Sequence, residues 1–104
     1  MSSWKLSWNH KSGHHDHVMK GFLMDPENYM FEQSKGNAKM VRVPIPGDVV
    51  YISCCKKKIM KCVVCSPFYV NSFGVEANVL KPLEIYENPE DFPANRRNWI
   101  CLDK

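Results

Sequence analysis

Trp4, Leu6 and Trp8 alternate with Ser3, Lys5, Ser7 and Asn9. That period of two predicts an opening strand over 3–9 with one face buried. Lys11 to His17 has no apolar period, contains Gly13 and three histidines, and reads as a loop. Val18 to Met24 is apolar enough for a short strand broken at Gly21. Asp25-Pro26 then offers a helix start, the acid as N-cap and the proline in the first turn, and predicts a helix to about Ser34. Gly36 and Asn37 suit its exit, because both accept the left-handed angles of a C-terminal cap.

From Val43 to Cys65 the pattern becomes two β-rich runs around a charged tip at Lys56-Lys57-Lys58. Pro46-Gly47-Asp48 marks the entrance: proline fixes φ, glycine takes unusual angles and aspartate bonds nearby backbone. A β-hairpin follows. Beyond it come Phe68-Tyr69-Val70, a turn at Asn71 to Gly74, and Val75 to Tyr86, which supports one or two strands interrupted at Pro82. Asn88 to Pro93 reads as a turn or a single helical turn, and Arg97 to Leu102 as the last strand. The pattern predicts an α+β, mostly β domain: five to seven short strands with one or two short helices, curled into a partly open pseudo-barrel.

Length narrows this further, since 104 residues support one modest core and one domain over 1–104, which excludes a two-domain enzyme. The longest apolar run falls short of the roughly 18–20 residues a membrane span requires, and no apolar leader segment opens the chain. Five cysteines, at 54, 55, 62, 65 and 101, are odd in number and clustered, which fits a reducing compartment better than a disulfide framework. The expectation is an intracellular protein, cytoplasmic or nuclear, with no membrane partner. A net charge of +3 permits a polyanionic partner without demanding one.

Candidate chemistry is sparse. Cys62-Val-Val-Cys65 has the spacing of a zinc knuckle or redox dithiol, but β-branched valines replace the tight turn such sites need. In a strand the two thiols point to opposite faces, so packing is the favoured reading. His10, His14, His15 and His17 are read as a solvated polar loop in preference to a metal cluster, with His10 open to ligand contact beside the first strand. No nucleophile elbow, phosphate-cradling loop or metalloprotease helix occurs, and the carboxylates show no catalytic spacing. No catalytic residue, metal or cofactor is assigned. Lys56, Lys57 and Lys58 suit either edge protection or phosphate contact. Arg96 and Arg97 beside Trp99 combine the charge that grips a backbone with a ring that stacks a base. Trp8, Phe22, Phe68, Tyr69 and Trp99 fall near strand ends, where they serve either the core or the mouth of a small barrel.

Three segments together carry a resemblance: Trp4 to Asn9; Lys20-Gly21-Phe22-Leu23-Met24-Asp25-Pro26; and Met40 to Ile52 with its Pro-Gly-Asp entrance, followed by Ile59 to Val64. In order and spacing they resemble the EVE-like branch of the PUA-like superfamily. That group also holds YTH domains and the base-reading domains of modification-dependent restriction systems. The resemblance implies a PUA-like pseudo-barrel that binds DNA or RNA without catalysis, accepting an extruded, often modified, base in an aromatic cage. On this sequence the pocket falls to Ser7, Trp8, Asn9, Phe22, Met24, Phe68, Tyr69 and Trp99, with Ser7 and Asn9 reading polar edges. Met24 stands where relatives usually carry a cage tryptophan. Arg96, Arg97, Lys56, Lys57 and Lys58 would hold phosphates, and the domain is expected to act as a monomer. The alternative is an ASCH-like amidohydrolase acting on a modified nucleoside, with Lys5 or Lys20 and Glu76 or Glu84 as working groups. A third reading is a protein-interaction or viral accessory module.

Overall fold

The computed structural model describes residues 1–36, 39–94 and 98–103. Asn37, expected at a helix exit, and Arg96 and Arg97, expected at phosphates, lie outside them. The described elements run β1 (Ser3–Trp8), a 3-10 turn (His10–Ser12), α1 (His14–Met24), β2 (Phe31–Ser34), β3 (Val49–Cys54), β4 (Lys57–Val64), β5 (Tyr69–Val70), β6 (Glu76–Ile85) and β7 (Trp99–Cys101). The strands form one curled sheet in the order β2-β6-β4-β3-β1-β7, with β5 added to β6. This is the mostly β, α+β half-barrel that the polar and apolar pattern predicts. No described helix is long and apolar enough to cross a membrane.

All pairings are antiparallel except β1 with β3, which run parallel from Ser3↔Val49 to Trp8↔Cys54. A parallel pair needs a long crossover, and residues 9–48 supply it, carrying α1 and β2 across one end of the sheet. The core sits inside the curl. Trp4, Leu6 and Trp8 of β1 meet Val50 and Ile52 of β3, Met60, Cys62 and Val64 of β4, Leu80 of β6 and Trp99 of β7. Cys62 is buried and Cys65 exposed, as strand alternation requires, and all five cysteines are free.

The crossover is where pattern and structure part. Residues 14–24, expected as the end of a loop and a broken strand, form one helix. Its inward face carries His14, Val18 and Phe22 one turn apart, with His15 and Met19 beside them. Asp25-Pro26 ends this helix and starts none. Residues preceding proline avoid helical angles, and Asp25 sits at φ −149° and ψ 73° while its N–H closes the last turn on the Gly21 carbonyl. Gly21 is tolerated in a helix because the chain doubles back there: a Cβ on it would lie 2.1 Å from the Tyr29 ring. The helix expected to reach Ser34 is replaced by a turn and β2, whose Phe31 and Gln33 point inward while Glu32 points out. β6 is one ten-residue strand. It accommodates Pro82, which lacks a ladder N–H, beside a register shift opposite Lys61/Cys62.

The β3–β4 hairpin forms as predicted, but its loop is the two-residue pair Cys55-Lys56, with Lys57 and Lys58 already inside β4. Both loop residues hold positive φ, 54° and 62°, the geometry of a type I′ turn that favours Asn-Gly. Replacing Cys55-Lys56 with Asn-Gly should therefore stabilise the domain by about 1 kcal/mol, measured as a shift in urea midpoint at unchanged slope. An unchanged or lowered midpoint would show that the loop is not limiting.

Asp48, last of the Pro-Gly-Asp entrance, ties that entrance to the N-terminal segment and β1. Gly47 takes φ 95°, which only glycine adopts freely, and turns the chain so that the Asp48 carboxylate enters the core edge. Its Oδ1 accepts the Ser2 N–H at 3.0 Å, and its Oδ2 accepts the Trp4 indole N–H at 3.0 Å and the Ile45 N–H at 3.1 Å. Burial pushes its pKa up, but these donors outweigh that and hold the carboxyl below the usual range.

The open side of the barrel is joined by side chains. β2 and β7 end the sheet without pairing to each other. Across the gap the Trp99 indole donates to the Ser34 carbonyl at 3.2 Å, and Trp8 donates to the Gln33 amide oxygen at 2.9 Å.

Candidate functional site

β1 ends at this seam, and the crossover brings α1 and β2 to the same place. Between them lies a cavity of about 430 Å³, within the usual range for small-ligand sites. Ser7, Trp8 and Asn9, singled out from the sequence at the end of the first strand, line it. The 3-10 turn adds Ser12 and the start of α1 adds His14; β2 adds Glu32, Gln33 and Ser34; Val75, Ala77 and Asn98 complete the wall.

The floor is an edge-to-face aromatic cluster. The His14 ring meets Trp8 at 4.6 Å between centroids and 77°, and Phe31 meets Trp8 at 5.7 Å and 71°. His14 is half-buried, and its Nε2 is buried without a hydrogen-bond partner. Burial lowers its pKa, the neighbouring Gln33 side chain opposes that, and the charge of His17 adds to it. Glu32 is the only acidic residue among the described residues of the lining, and its side chain points out of β2. Tyr69 Oη and Asn71 Nδ2 donate to it and hold its pKa below the usual range. Asn9 is occupied in part, its Oδ1 capping the Lys11 N–H at 3.0 Å.

The other expected pocket residues lie elsewhere. Tyr69 reaches the site only through Glu32. Phe68 packs edge-on against Trp99 at 5.7 Å, and Trp99, 1% exposed, is a core residue bonded to the seam. Phe22 is half-buried on α1, and Met24, 79% exposed, ends that helix; neither lines the cavity. Of the lysines, Lys57 pairs with Asp91 at 2.5 Å. Lys58 pairs with Glu90 and points its ammonium at the rings of Tyr51, Tyr86 and Phe92, 5.2–5.8 Å from their centroids. Among the described residues Lys56 alone of the three has no acidic partner. The residues considered for an amidohydrolase do not converge: Lys5 lies over Phe92, Lys20 is exposed on α1, Glu76 pairs with Lys35, and Glu84 lies opposite Lys61 in the sheet. None of the four lines the cavity.

His14, Glu32, Gln33, Ser34 and Asn98 escape sequence reading because the crossover and the seam assemble them from distant segments. A helical reading of His14, Val18 and Phe22 was the one signal that could have placed His14 on a buried face. Among the described residues no three His, Cys, Asp or Glu side chains gather where a metal ion could be held. The buried thiols are not poised as nucleophiles: burial and the Cys55 contact push Cys54 up to about 11, and burial pushes Cys62 up as well. No family model and no curated protein matches this chain.

Proposed function

We propose that the chain is a non-catalytic nucleic-acid-binding domain of PUA-like, EVE-like type, which receives an extruded base in the cavity at the end of β1. The observation that supports this reading most directly is the convergence of Ser7, Trp8 and Asn9, singled out from sequence, on one concave site with an aromatic floor. A flat, nitrogen-rich ring matches that chemistry. It would cover the exposed rim of the Trp8–His14 pair and offer polar edges to Ser7 and Asn9. Contact with an aromatic side chain is worth about 1–3 kcal/mol per base, enough to offset much of the few kcal/mol needed to unstack it. The phosphate backbone would run outside the cavity, against exposed cations such as Lys11 and Lys56.

The test is a titration of single-stranded and duplex oligonucleotides, with and without modified bases, at two salt concentrations. Binding should weaken with salt. Val75 is an exposed residue of the lining, so Val75→Trp blocks the cavity without disturbing the core, and it should weaken binding at least tenfold at an unchanged melting temperature. No binding to any oligonucleotide, or full binding by Val75→Trp, would overturn the proposal.

A further inference from the structure

A second cavity, of about 650 Å³, lies between β7, Trp4 of β1 and residues 39–42. Trp4 and Trp99 back it; Met40 and Val41 stand on one side, Ile100 and Cys101 on the other. Val41 is fully exposed and Ile100 partly so, leaving an apolar surface unfilled. Lys39 and Arg42 also line it, and no carboxylate residue does among the described residues. Arg42 bonds Ser2 and sits 3.7 Å from Asp103, which anchors it beside the groove; Lys39 has no ionic partner among the described residues.

The backbone here is as informative as the side chains. Leu102 N–H donates to Ser3 and Ser7 N–H to Asn98, so those residues of the final segment face β1. By the alternation of an antiparallel ladder, the N–H and C=O groups of Trp99 and Cys101 point the other way, into the groove. β7 pairs with no other strand, and no described backbone group bonds to those outward amides. An unpaired edge beside an apolar, cationic trough has the elements of a strand-addition site: main-chain bonds supply affinity, and alternate side chains meet the walls.

We infer that this edge docks an extended peptide in which acidic side chains flank an apolar one, added as a strand against β7. The apolar side chain fills the space before Trp4 and Trp99, and the acids meet Lys39 and Arg42. The site is separate from the base cavity and does not depend on it.

The probe is a fluorescein-labelled octapeptide of alternating valine and glutamate. Two controls accompany it: the valine–lysine counterpart, and the same acidic peptide N-methylated at alternate residues. The acidic peptide should bind saturably and slow amide exchange at Trp99 and Cys101. Both controls should bind at least tenfold more weakly, as should the acidic peptide to the Lys39→Glu/Arg42→Glu protein, whose substitutions are at exposed positions. Three outcomes would overturn the inference. One is no binding, or binding that leaves the β7 amides unprotected. Another is equal binding of the N-methylated peptide. The third is concentration-dependent self-association that protects the same amides, which would assign the edge to a second copy of this chain.

Discussion

Asp48→Ala should cost about 4 kcal/mol of folding stability, a large part of the roughly 5–15 kcal/mol that a domain of this kind possesses. The carboxylate is 2% exposed and serves two backbone donors and one indole. Bonds to a charged acceptor contribute about 1.5–3 kcal/mol each, and a buried donor left without a partner costs about 1–3 kcal/mol. These terms are not additive, because water reaches Ser2 and Ile45 more easily than it reaches Trp4. Asp48→Asn should fall between the two proteins, since its NH₂ group must face one of the donors. Urea unfolding of the three proteins measures both effects, and a loss below about 1 kcal/mol for alanine would mean that the carboxylate is not a structural centre. The pH dependence has a definite sign. The folded pKa lies below the ordinary value, so the unfolded chain binds the proton first as pH falls. The stabilisation is complete above the unfolded pKa of about 4 and is lost as pH drops through the folded value. Asp48→Asn should flatten that acid limb while leaving the profile above about pH 5 parallel to the parent.

The second large effect belongs to Trp99. Trp99→Ala should cost about 3–5 kcal/mol, the usual range for emptying a fully buried aromatic site. Here the ring lies edge-on to both Trp4, at 6.4 Å, and Phe68, at 5.7 Å. Trp99→Phe separates the packing from the hydrogen bond: most of the ring remains, but the donor to Ser34 is gone. That variant should lose about 1–2 kcal/mol. Amide exchange in β2 should rise more than in the β3–β4 hairpin, because the lost bond is the one that holds β2 to β7. Uniform acceleration across the sheet would show that the indole N–H contributes only to global stability.

How much of this was legible in the chain depends on where pairing information lies. β1 could be read because both its faces obey a period of two, and the hairpin because Pro46-Gly47-Asp48 specifies its own turn. The crossover could not, for a local reason and a distant one. Asp25-Pro26 is chemically suited to begin a helix or to end one, and only the packing of Tyr29 on Gly21 decides between them. Glu32, Gln33 and Ser34 have weak β preference, and they become a strand because Ala77 to Leu80 present a ladder to them. The candidate site follows the same division. Ser7, Trp8 and Asn9 belong to the legible strand; His14 and Glu32 belong to the segments whose conformation is decided by tertiary contact.

A barrel closed by a backbone ladder resists opening along its whole length. Here one line is fastened by two indole N–H groups, from Trp8 and Trp99, each bond contributing about 1 kcal/mol net. Hydrogen bonding along that line is therefore sparser than between the paired strands. Gln33, Ser34 and Asn98, which flank the line, also form the rim of the β1 cavity. Widening that aperture would stretch these two hydrogen bonds and the Trp8–Phe31 ring contact while every strand pair stays intact.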